Sequence, residues 1–165
     1  MQGFSSYLVD ADMARHAVEL CLPAFQASMD NREAGASGFL YIVVMRPGFT
    51  PAHGSFKDAI LYEHAVGDPR KWDADYGHFA RGKAELSWRT GMDTHAVQQQ
   101  KPHLLSAGDS LLWGGIVIHD IVVAVSGADP WFDEAFAGAV AMFVRALAKK
   151  AVSERSGKPW LGEAA

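Results

Sequence analysis

Lys83, the adjacent acids Asp133 and Glu134, the glycine pair Gly114-Gly115 and seven histidines are the residues of this 165-residue chain whose types invite chemistry. Lys83 sits among the small residues Ala80, Ala84 and Ser87. A lysine in that setting either runs its stem out to water or meets an anion, such as a phosphate or a propionate. Asp133 and Glu134 project about a third of a turn apart on a helix and so do not chelate one metal as a pair. Near a helix start they complement the dipole, and either can accept hydrogen bonds from a facing loop or a neighbouring subunit. Two glycines ahead of a strand permit close approach of a ligand or another backbone, or aim the strand through a bulge.

The histidines fall at 16, 53, 64, 78, 95, 103 and 119, with no two at the three- or four-residue helical spacing, and single Cys21 completes no zinc set. His95 and His103 bracket a short segment and are the pair able to converge on a metal; His64 and His78 are further axial candidates for an iron. Ser126-Gly127 lacks the surrounding pattern of a nucleophile elbow, and no glycine-rich phosphate motif is present. No acid–base set stands at a recognisable spacing, so no catalytic residue is assigned.

Helices and strands must position these groups. Apolar residues recur at helical steps from Met13 to Phe25, so 10–29 reads as a helix capped by Asp10, with Pro23 expected to kink it or end it early. The apolar run Phe39–Met45 reads as a strand buried on both faces, 46–58 as a loop, and Ile60–Val66 as its partner strand. Asp73 or Asp75 can cap a helix running to about Thr90, with Ala80, Ala84, Ser87 and Gly91 on one face. Residues 94–100 form a further short helix that Thr94 can cap.

Leu111–Trp113 is expected to be a short strand, followed by a hairpin of Ile116–Ile118 and Ile121–Val125 that turns at His119-Asp120. Asp129-Pro130 is a helix start, and an apolar stripe carries that helix to about Val152. The polar tail 153–165 holds Trp160 as a local anchor, and residues 1–8 are a loosely docked lead. The order predicts one α+β domain with its core over about 9–152, built on a single antiparallel sheet of about five strands.

A net charge of −4 with no basic, aromatic-laced run argues against nucleic acid, and the longest apolar run is too short for a membrane span. The N-terminus has no basic-then-apolar leader, so a cytoplasmic location is expected.

Two segments resemble a known family. Ala80-x-x-Lys83-Ala84-x-x-Ser87-x-x-x-Gly91-x-x-Thr94 is similar to the AxxKAxxAxxxGxxT helix of the GlcG/HbpS-like family, which includes the C-terminal domain of PduO-type proteins. GGIVIHDIVVAVSGADPWFDEAFA, from Gly114, resembles that family's GGxPI…GAIGVSG…DExxA signature. The chain departs from the pattern at the longer loop Pro47–Asp58, at Glu63–Asp68 in place of RMDG, at Val117 for the proline and at Val123 for a glycine.

The resemblance implies a profilin-like fold, homo-oligomers and, in some members, binding of haem or a corrinoid, with haem degradation proposed for others. On that footing the expected function is binding of a small ligand, a haem or another planar or acidic molecule. Lys83, Thr94, Gly114 and Gly115 would be at the ligand and His95 or His103 would be the metal ligand. The expected cleft lies between the second helix, the 91–103 connector and the 113–127 hairpin. The alternatives are a haem-degrading or other small-molecule enzyme in the same cleft, and an oligomeric assembly module that presents the apolar hairpin.

Overall fold

The computed structural model describes residues 5–155 and 159–162. The expected loose lead falls partly outside these, at 1–4, as does the polar tail, at 156–158 and 163–165.

Helix α1 spans Ala11–Asp30, capped by Asp10, whose carboxylate accepts the Met13 N–H at 2.8 Å. Pro23 lies inside it and does not end it, because Ala17, Val18 and Cys21 before the proline and Phe25 and Met29 after it are all buried against the rest of the fold. Burial pushes the Cys21 thiol up to about 11, so it behaves as a small core hydrophobe.

Strand β1 (Leu40–Met45) leads into the 46–58 loop, which holds a one-turn helix, α2 (Phe56–Ala59), fixed by a reciprocal Ser55–Asp58 capping box. Strand β2 (Ile60–Val66) follows directly. Helix α3 (Tyr76–Thr90) starts at Asp75, whose carboxylate accepts the His78 N–H, and stops at Gly91 in the left-handed region. The short helix α4 covers Thr94–Gln100. A hairpin of β3 (Gly115–Ile118) and β4 (Ile121–Ser126) turns on His119 and Asp120, both at positive φ as a two-residue primed turn requires. Helix α5 runs Pro130–Ser153.

The sheet has four strands in the order β2-β1-β4-β3, antiparallel throughout. The fifth, expected at Leu111–Trp113, does not form. The Leu112 N–H is spent on Ser110 Oγ, both leucines face outward, and Gly114 at φ +125° swings the chain just before β3 begins.

Alternation along β1 divides the core. Leu40, Ile42 and Val44 point to α1 and α5, where Val18, Phe25, Phe136 and Val140 meet Val123 and Val125. Val43 and Met45 point to the other face, against Ala80 and Ala84 of α3 and Ala124 of β4. These alanines let α3 press close to the sheet, as its small-residue face predicts. Trp160, expected to anchor the tail, is instead 71% exposed. No helix among the described residues is long and apolar enough to cross a membrane.

Candidate functional site

The face that α3 presses on the sheet carries one fully buried charged residue. Lys83, bracketed by Ala80 and Ala84, reaches past the end of β4 to the first turn of α5. There its Nζ donates to Asp133 Oδ2 at 2.7 Å and to the Val125 carbonyl at 2.9 Å. The two side chains are 2% and 4% exposed. Asp133 sits where the α5 dipole favours a carboxylate, and its Oδ1 accepts the Ala128 N–H at 2.9 Å. Of the two adjacent acids, only Asp133 turns inward. Glu134, about a third of a turn round the helix, is partly exposed.

An ammonium carries three donors. Two are used, and the third N–H of Lys83 has no partner among the described residues. Burial raises the Asp133 carboxyl to about 6, with the Lys83 charge and its hydrogen bonds pulling the other way. The same burial lowers the Lys83 ammonium below its ordinary value against the pull of Asp133. Both partners shift toward their neutral forms, so desolvation outweighs their mutual attraction. A proton can sit on either member of such a pair.

The pair lies in the lining of a cleft of about 270 Å³. Tyr76 of α3, Leu112 and Trp113 of the connector, the Ser126–Ala128 turn and Pro130 complete that lining. The Tyr76 hydroxyl donates to Asp73 Oδ1 at 2.5 Å. Ser126 is buried, and its hydroxyl makes no side-chain hydrogen bond among the described residues.

The residues singled out from the sequence divide around this cleft. Lys83 is in it. At Gly114 and Gly115 the group that approaches closely is the chain's own. A Cβ on Gly114 would lie 2.5 Å from the Val125 carbonyl oxygen and 3.0 Å from Lys83 Nζ. One on Gly115 would lie 2.7 Å from Thr94 Cγ2 and 2.8 Å from the Lys83 carbonyl oxygen.

Thr94 is fully buried behind them, where its Oγ1 accepts the Gly115 N–H at 3.2 Å. It is not the cap of α4. Asp93 holds that position and turns its carboxylate to the Val117 N–H at 2.7 Å, stitching α4 to β3. His95 stacks on Trp113 and is one layer removed from the cleft, while His103 is exposed on the turn Pro102–Leu104. Among the described residues no group of three or more His, Cys, Asp or Glu is arranged to hold a metal. His64 lies in a separate groove between β2 and α1, and His78 in another beside α3.

Sequence reasoning missed Asp133 as the partner of Lys83 and did not single out Tyr76, while Trp113 and Ser126 fall within the 113–127 stretch expected at the cleft. The only available signal was that Lys83 and Asp133 each fall within one of the two resembling segments.

No family model matches the chain, and no curated protein matches it. Among solved structures, the Klebsiella pneumoniae protein ORFY, of the DUF336 family, is similar. The two are 17% identical with a TM-score of 0.49, over 88% of this chain and 95% of that one. So distant a likeness says nothing about a ligand or a reaction.

Proposed function

We propose that this protein binds a small acidic or planar molecule in the cleft over Lys83 and Asp133. The observation that carries the reading is the buried ammonium with an unused N–H in the lining of an open cleft. Leaving a buried donor unmatched costs roughly 1–3 kcal/mol, which a ligand acceptor recovers. The Ser126 hydroxyl offers a second polar contact, and Trp113 and Tyr76 offer flat apolar walls. At about 270 Å³ the cleft falls just below the roughly 300–1,000 Å³ of drug-sized sites, which favours a ligand of few atoms. A haem would place only a propionate against Lys83. The reading takes with it the profilin-like arrangement that the motif resemblance implies.

Calorimetric titration with pyruvate and with lactate, two small acids of matching size, tests the cleft. A haemin titration followed at the Soret band tests the tetrapyrrole version. Saturable heat that Lys83→Met abolishes supports the small-acid reading. No heat with either acid and no Soret shift would overturn it.

One observation favours a self-association reading beside it. The outer face of α5 shows Trp131, Met142 and Phe143 at 59%, 47% and 41% exposure. The hairpin expected to serve that end keeps its Ile121–Ser126 strand buried, so α5 is the better surface for a second copy. Light scattering on the wild type and on Met142→Glu distinguishes a dimer or larger assembly from a monomer.

A further inference from the structure

We propose that Lys83 is a carbonyl-reactive amine, forming an imine with a small aldehyde or 2-oxo acid in the cleft while Asp133 carries the proton. The inference rests on the cleft being a small-ligand site, and it names the substrate class and the reacting atom.

The geometry supplies what imine chemistry needs. Lys83 belongs to the lining of the cleft, and its Nζ lies 2.7 Å from a carboxylate oxygen that can take and return a proton. Gly114 lets the chain pass close beside that nitrogen without covering it by a side chain, since any Cβ there would sit 3.0 Å from Nζ. The Val125 carbonyl, 2.9 Å from Nζ, fixes the side-chain direction. Bulk water is largely excluded from both side chains, which favours loss of water from the adduct. A lysine attacks only as the neutral amine, and desolvation is the usual way of providing it. Burial shifts Lys83 and Asp133 in that direction, against the pair's own attraction and hydrogen bond and, at Lys83, the Glu134 charge.

The step balances within the site. The Lys83 ammonium passes a proton to the Asp133 carboxylate, and the free amine adds to the carbonyl carbon, forming the C–N bond. The protonated Asp133 gives its proton to the carbonyl oxygen. A second nitrogen-bound proton then moves through Asp133 to that oxygen, which leaves as water as the C–O bond breaks. The products are the iminium on Lys83, the Asp133 carboxylate and one water. No oxidant or external co-reactant enters.

Incubating the full chain with pyruvate and sodium cyanoborohydride near neutral pH, then mapping adducts by peptide mass, reads the step directly. Lys83 is expected to be labelled about ten-fold above the exposed Lys57 and Lys149, which have no cleft or carboxylate partner to promote the step. Asp133→Asn is expected to lower labelling at Lys83 by about ten-fold or more. Lys83→Arg, which keeps the charge facing Asp133, is expected to abolish it. Site mapping in the wild type stands by itself if that variant does not fold. Excess lactate, an acid without the carbonyl, is expected to protect Lys83.

Adducts on Lys57 and Lys149 with none on Lys83, while pyruvate and lactate still bind alike, would overturn the imine and leave the cleft reading standing. Binding of neither acid would remove both.

Discussion

The ring of His95 lies flat on that of Trp113, with centroids 3.6 Å apart and planes 18° apart. This contact, made by the first turn of α4, sets the wall of the cleft from behind. It also gives His95 a packing role in place of the metal-ligand role its type invites. Its Nδ1 stands 3.6 Å from Glu134 Oε1, too far for a hydrogen bond but close enough for attraction when the ring is charged.

Removing the ring should therefore act on the wall. His95→Ala is expected to cost about 0.5–1.5 kcal/mol, the usual worth of an aromatic pair beyond its area. The Trp113 indole N–H resonance is expected to move and broaden. Urea unfolding and an indole-region NMR spectrum check the two parts.

Gly115→Ala is expected to be destabilising by about 1–3 kcal/mol, because the added methyl meets the Ser87 hydroxyl, which can rotate, and also Thr94 Cγ2 and the Lys83 backbone carbonyl, which are fixed. The α3–β3 seam should open first. Faster hydrogen exchange at the Val117 and Gly115 amides would report this.

Lys83→Met leaves a carboxylate buried without its cation, which costs about 3–5 kcal/mol. The double variant Lys83→Met with Asp133→Asn should recover much of that loss. The amide keeps an acceptor for the Ala128 N–H while removing the stranded charge. Denaturant midpoints of the two single variants and the double close the cycle.

The pH dependence has a definite sign. Burial holds the folded Asp133 carboxyl at about 6, above the ordinary value of 3.8. Its contribution is fully present below that ordinary value and is lost as pH rises through about 6, at no more than about 1.4 kcal/mol per pH unit. Asp133→Asn lacks the titrating group and should show a flatter stability profile over that window. A carboxyl carbon NMR titration of the wild type should place the midpoint near 6.

Much of the architecture is legible in the sequence. The run Leu40–Met45, the Ile116–Ile118 and Ile121–Val125 strands around two turn residues, and the Pro130 helix start all stand where local pattern put them. The failures were also local in origin. Leu111–Trp113 has strand-like residues, yet nothing in its composition shows that Ser110 would take its N–H or that Gly114 would turn the chain away.

By itself the sequence determined the α+β class, the antiparallel order of elements and the small-residue face of α3. Periodicity, capping and turn chemistry act between residues a few positions apart, so they can be read along the chain. Only the tertiary structure decided what Lys83 touches. It meets Asp133 across fifty positions because the face of α3 that packs on the sheet carries Lys83 past the end of β4 to the first turn of α5. Desolvation then sets the protonation of the pair, and burial is a property of the packed fold, not of either residue type.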